Sequence, residues 1–208
     1  MIDELNSFED YFSYLSKADK KKRVELADAF LDILLYAFSL VTIELANGIS
    51  EAEIEQELDE YLEFEMWSAI PNDAKYLMPE KEVNFDLKEI PKLREYIESM
   101  ALGVAAVTMS HKEEYYTSYE RAFTIAADQS NAVYNAKDFN YAVASGKTEK
   151  TWLSMRDERV RESHWEVDGE TIGITEYFIV GGEPMLYPHD ISASIGNTAG
   201  CRCSVVYK

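Results

Sequence analysis

Lys150-Thr151-Trp152-Leu153-Ser154-Met155-Arg156-Asp157-Glu158-Arg159-Val160-Arg161-Glu162-Ser163-His164 is the stretch on which the fold turns. It opens on a strand-like run, residues 151–155, and passes into alternating charge, with Asp157, Arg159 and Arg161 set among Glu158 and Glu162. Short β-rich segments of the same kind recur at residues 171–175, 177–180 and 204–207, and Asp168-Gly169 and Gly181-Gly182 are turn signals beside them. Upstream of Gly146 the pattern is helical. Residues 118–136, with room to run on to Ala144, place Ala122, Ile125, Ala126, Gln129, Ala132, Val133 and Ala136 on one small-residue face suited to close packing.

Working further toward the N-terminus, residues 24–46 repeat Leu26, Phe30, Ile33, Leu34, Ala37, Phe38 and Val41 at three- and four-residue steps, while Leu31, Leu35 and Leu45 widen the apolar surface. Such a helix belongs at the centre of a core. Asn47-Gly48 ends it, and Ser50 with Glu53 is the start signature of a helix over residues 51–67. Pro91 suits the first turn of a third helix through Leu93, Tyr96, Ile97, Met100 and Ala101, which continues across residues 103–109. Residues 1–20 predict one short helix ahead of the basic cluster Lys20-Lys21-Lys22-Arg23, and residues 72–87, between Pro71 and Leu87 and interrupted by Pro79, read as a loop. The expected class is α+β: an N-terminal helical region followed by a small, mostly antiparallel β-sheet packed on a long helix. The expected division is an acidic helical region over residues 1–110 and a second domain over residues 111–208.

Charge narrows the function. The chain of 208 residues carries a net charge of −19. Residues 1–110 hold 10 Lys/Arg against 24 Asp/Glu, and residues 111–208 hold 10 against 15. An acidic surface repels a phosphate backbone, so sequence-specific or general nucleic-acid binding is not expected. The surplus suits basic partners, or mimicry of nucleic-acid charge, or a solvated helix face.

The uncharged run at residues 33–43 falls far short of the roughly 20 residues that span a bilayer, so no membrane partner is expected. Met1-Ile2-Asp3-Glu4 is acidic where a signal peptide is basic, which points to a cytosolic origin. Cys201 and Cys203 are too close for an unstrained disulfide.

The residues able to carry chemistry gather near the C-terminus. His164, His189, Cys201 and Cys203 form a possible two-His, two-Cys zinc set, with Asp190 as a substitute ligand, although Cys-x-Cys is tighter than the usual gap. Asp157 with Arg159 and Arg161 reads either as a carboxylate with an arginine clamp for an anion or as an ion-pair network that pins the turn leading to His164. Arg202 is placed to pair with Asp157 or Asp190. No nucleotide-binding loop, nucleophile elbow or His-Glu-x-x-His motif occurs.

Read in order, Trp152, Asp157, Arg159, Arg161, His164, Asp168-Gly169, Phe178, Pro188, Asp190 and Gly200-Cys201-Arg202-Cys203 resemble the phage Mu F-like head morphogenesis family. The likeness covers about residues 118–207. One departure lies in the long helix, where Ala127-Asp128-Gln129 stands in place of the family's Arg-Thr-Glu. The resemblance implies a minor head (capsid) protein of a phage or prophage that binds portal, capsid or scaffold proteins in the host cytoplasm and resides in the virion head. It implies that Trp152, Asp157, Arg159, Arg161, His164, Asp190 and Arg202 stabilise a small domain and are not catalytic. Members of the family also occur fused to toxin domains, and since this chain stops at the Cys-Arg-Cys strand, none is expected here. Two other readings stand beside it: an enzyme or toxin-like effector using His164, Asp157 and Arg161, and an acidic inhibitor that mimics DNA.

Overall fold

A computed structural model describes residues 7–13, 15–71, 88 and 90–208, together with the backbone of two strands at 74–77 and 82–85. The element order is α1 (Phe8–Tyr11), α2 (Lys17–Ala46), α3 (Glu51–Ala69), β1 (Ala74–Leu77), β2 (Glu82–Phe85), α4 (Leu93–Ser110), α5 (Tyr119–Ala144), β3 (Glu149–Leu153), α6 (Glu162–Glu166), β4 (Thr171–Gly173), β5 (Phe178–Val180), β6 (Glu183–Met185), α7 (Ile195–Thr198) and β7 (Ser204–Tyr207). The class is α+β, as expected, with the pair β1–β2 set between α3 and α4 and the remaining strands after α5.

Serine caps decide where three of the long helices begin. Ser16, Ser50 and Ser118 each accept a backbone N–H three residues on, from Asp19, Glu53 and Arg121, at 3.3 Å in every case. Ser16 is the reason α2 starts at Lys17 and not at residue 24. The basic cluster therefore lies inside the helix, and Arg23 is buried.

Pro91 precedes α4 and does not sit in its first turn, because Lys92 takes the N-cap position in a left-handed conformation with φ 64°. The segment expected as a loop contains the antiparallel pair β1–β2, in which Ala74 faces Phe85 and Leu77 faces Glu82. Of the stretch expected as one short N-terminal helix, residues 1–6 and 14 lie outside the described residues.

α2 packs against both α3 and α5, and α3 packs against α4. By length and composition α2 would cross a membrane. In the fold its buried residues Leu26, Phe30, Leu34, Ala37, Phe38 and Val41 belong to the main core. That core also takes in Phe8 of α1, Ile54 and Leu62 of α3, Ile97 and Ala105 of α4, and Ala122, Ala126 and Val133 of α5. Each large side chain buried there contributes roughly 1.5–3 kcal/mol from apolar transfer.

β3 lies at the centre of a three-stranded antiparallel sheet in the order β4-β3-β7. Thr151 pairs with Thr171 on one side, and Trp152 pairs with Val205 on the other. β5 and β6 form a separate hairpin closed by Gly181-Gly182, with φ 57° and 84°. Two successive positive φ values match the tight turn whose twist suits antiparallel strands. A Cβ on Gly181 would also lie 2.9 Å from Asn197 Oδ1, so the position admits no side chain without a shift. A second, smaller core of Trp152, Val167, Phe178, Val180, Met185, Cys201 and Cys203 fills the space between sheet and hairpin.

A seam of buried polar residues on α5 ties the two cores together. Asp128, Asn131, Asn135 and Asp138 recur at three- and four-residue steps and so share one helix face. Arg23 of α2 donates to Asn131 Oδ1 at 3.0 Å, Asn135 Oδ1 at 2.7 Å and Asp138 Oδ2 at 3.0 Å. The same two asparagines donate in the other direction, Asn131 to the Cys201 carbonyl at 3.3 Å and Asn135 to the Pro188 carbonyl at 2.8 Å. Buried groups of this kind are costly unless every one is satisfied, so the seam locks one arrangement of helices against sheet.

Candidate functional site

β3, α6 and the approach to β7 converge on the smaller core. Trp152, fully buried on β3, meets the His164 ring edge to face with centroids 5.8 Å apart, and the Phe178 ring likewise at 5.2 Å. These contacts hold the imidazole in place. Its Nδ1 lies 3.5 Å from the sulfur of Cys201 and 3.5 Å from that of Cys203. All three residues are buried, and both cysteines are free thiols.

Cys201 and Cys203 are both buried, with Arg202 between them only partly so, and both sulfurs face the His164 ring. The hydrogen bond between the thiols pushes Cys201 well above the ordinary thiol range, with burial adding to it. The same bond holds Cys203 below that range. The Trp152 indole N–H, buried without a hydrogen bond of ordinary geometry, lies near enough to Cys203 to favour its thiolate.

His189 stands apart from this trio. It adopts φ 58°, and its Nε2 faces the Cys201 carbonyl at 2.5 Å. Asp190 binds neither the thiols nor Arg202. Its carboxylate accepts the Leu186 amide at 2.6 Å, the Ser192 amide at 2.9 Å and the Ser192 hydroxyl at 2.6 Å, which closes the turn after β6.

Asp157, Arg159 and Arg161 occupy the turn between β3 and α6. Asp157 accepts the Arg159 amide at 3.0 Å, and Arg202 Nη2 lies 2.7 Å from both of its oxygens. Burial works to raise this carboxyl, yet the bonds from Arg202 and the Arg159 amide hold it below the ordinary range. Arg161 donates to the carbonyl of Ala199. The side chains of His164, Asp157 and Arg161 are thus engaged with three different partners. A crevice of about 10 Å³ lies beside them, lined by His164, Cys201, Cys203, Arg159, Arg161 and Arg202 among others.

The turn itself is held by Asp168. It accepts the Ser154 amide at 2.7 Å and Arg156 Nε at 2.7 Å, with Arg156 at φ 53°. Burial acts to raise the Asp168 carboxyl, but these bonds keep it below its usual range.

A larger groove of about 540 Å³ runs between α4, α5 and the segment from His189 to Ala199, and Tyr96, Val104, Arg121, Asp128 and His189 line it. It does not contain the His164–cysteine cluster. Asp128 is the polar residue at its base that motif reading passed over. Its carboxylate accepts the Tyr11 hydroxyl at 2.7 Å and the Gly200 amide at 2.8 Å. The available signal was a carboxylate at helical spacing from Asn131 and Asn135 on an alanine-rich face.

The family described as Phage Mu protein F like protein matches residues 39–206. The chain belongs to that family. The match begins inside α2, so the family pattern takes in most of the helical region as well as the sheet. The chain is also 29% identical over 98 residues to the NAD(+)--arginine ADP-ribosyltransferase EFV of Enterococcus faecalis, covering 45% of this chain and 20% of that protein. The alignment thus spans about a fifth of the relative's length. No solved structure matches the chain.

Proposed function

We propose that this chain is a minor head protein of a phage or prophage, which joins the growing head by binding portal, capsid or scaffold protein through its acidic helices. The site of action is the host cytoplasm during assembly and then the virion head. The observation that carries this reading is the outer face of α3, where Glu51, Glu53, Glu57 and Glu60 are exposed. Asp59, on the same helix, has its carboxyl raised by burial and by the crowding of Glu63, Glu60 and Glu55. Few cations relieve that crowding. Among the described residues, Lys112 bonds Glu51 at 3.0 Å and Arg94 pairs with Glu63. A basic partner surface would complete it. Exposed apolar side chains on α2 and α3, Tyr36, Ile43 and Phe64, offer contact area of the kind that interfaces cover.

The engagement of His164, Asp157 and Arg161 with separate partners supports a structural role for the C-terminal motif over a catalytic one. Purified procapsids and portal complexes are expected to retain the chain and to release it as salt is raised, since a charge-driven contact weakens with screening. Reversing charge at Glu57 and Glu60 to Lys is expected to weaken retention without unfolding the protein, because both side chains are solvent-exposed and lie beyond the helix cap. Absence of the chain from procapsids, portals and virions alike would overturn the reading.

A further inference from the structure

We infer that His164, Cys201 and Cys203 form a three-ligand centre for a zinc-like divalent cation, with its fourth coordination position open to the crevice between the arginine turn and β7. One imidazole nitrogen sits 3.5 Å from each of two sulfurs. In a tetrahedral zinc site, bond lengths near 2.3 Å to sulfur and 2.0–2.1 Å to nitrogen put the sulfur–nitrogen edge at about 3.6 Å. Both edges in this protein have that length. A neutral imidazole nitrogen has one proton or one lone pair to offer, so hydrogen bonding reaches both sulfurs only as a shared, weaker contact, whereas one cation bonds both fully.

Burial points the same way. The three ligand atoms lie within 4.8 Å of one another, and all three residues are buried. Thiolate and imidazole are the donors that select zinc over calcium or magnesium. Two thiolates also neutralise a divalent charge, which makes the centre tolerable in a small apolar core.

The remaining vertex has a place in the structure. The crevice touches all three ligands and measures about 10 Å³, which is roughly one water molecule's room. Arg159, Arg161 and Arg202 also line it, so it favours a water that can ionise or a small anion over a neutral ligand. His189 is not the fourth ligand, because its Nε2 is turned to the Cys201 carbonyl and holds the backbone that carries the first thiol. The cation would staple α6 to the β7 approach, two segments separated by 37 residues.

The test is zinc content of the full chain, purified without added metal, followed by chelation and titration with Zn²⁺ or Co²⁺ alone. About one equivalent per chain is expected, with thiolate-to-cobalt charge-transfer bands and four-coordinate d–d absorption in the cobalt form. Cys203→Ser and His164→Ala are expected to lose binding, while His111→Ala, at an exposed histidine outside the cluster, keeps it. Where a ligand variant fails to fold, the wild-type protein decides: chelation should lower its Tm and zinc should restore it. A chelated wild-type chain that keeps its Tm and takes up neither ion overturns the proposal. So does full binding by a folded His164→Ala variant, which would move the site to a different ligand set. Neither result bears on whether the chain enters phage heads.

Discussion

The Tyr11 hydroxyl donates to Asp128 Oδ1 at 2.7 Å across 117 positions of chain, and the other oxygen of the same carboxylate holds the Gly200 amide at 2.8 Å. One buried side chain on α5 therefore ties the first described helix to the segment that carries both cysteines. Burial works to raise the Asp128 carboxyl, and the charge of His189 with the bonds from Gly200 and Tyr11 works against that.

Tyr11→Phe removes one of those bonds and leaves a buried acceptor lone pair without its donor. The expected loss is about 1.5–3 kcal/mol of unfolding free energy, the range for hydrogen bonds to charged groups. Urea unfolding reads it as a lower midpoint at unchanged m-value. A shift too small to measure would mean that the N-terminal helix is not fastened through Asp128.

Lys150 predicts a pH dependence of the opposite kind to acid unfolding. It is fully buried on β3, where Nζ donates to the Leu186 carbonyl at 2.8 Å and lies over the rings of Phe139 and Phe178. Burial pushes its pKa down to about 8, against the pull of Asp190 and Glu176. Below that value folded and unfolded chains both carry the proton, and the cost of burying the charge is constant. Between about 8 and the ordinary lysine value of 10.5, the folded state sheds a proton that the unfolded state keeps, so stability rises with pH. The rise contributed by this group is on the order of 2–3 kcal/mol over that window. Lys150→Met is expected to flatten that limb of the stability profile; an unchanged slope would count against a lowered Lys150 pKa in the folded protein.

Arg202 and Asp157 test how much the exposed side of the motif contributes. The pair is bidentate, but Asp157 remains 38% exposed and water competes for it. A double-mutant cycle with Arg202→Met and Asp157→Asn is expected to give a coupling of about 0.5–1 kcal/mol, falling as salt is added. A coupling several-fold larger would mark the turn as a principal support of the fold.

Legibility of the fold followed the range of the interactions. The helix over residues 51–67 and the long helix from residue 118 lie close to their expected places, because apolar periodicity and a serine cap are local signals. Local signals also misled. Pro91 looked like a first-turn residue, yet the chain puts Lys92 at the cap, and β6 went unread because Glu183-Pro184-Met185 has little strand character of its own. That strand exists because the Gly181-Gly182 turn folds it onto β5.

For the candidate site, the residue types were readable and their grouping was not. Cys201 and Cys203 stand two apart in sequence, and both turn their sulfurs to one imidazole. Which histidine they meet depends on where α6 is carried by Trp152 and on the left-handed turn at His189, and neither is a property of any short segment.

The amino-acid sequence by itself determined the family, the class of each long helix, the acidic character of α3 and the short list of residues able to bind a metal or form ion pairs. Those follow from composition, period and ordered motifs, which survive without knowledge of contacts. Tertiary structure alone decided that Arg23 is buried among Asn131, Asn135 and Asp138, that Asp128 joins both ends of the chain, and that His164 and not His189 faces the thiols. Each of these joins groups far apart in the chain, and a buried polar group has no preferred partner until packing brings one within reach.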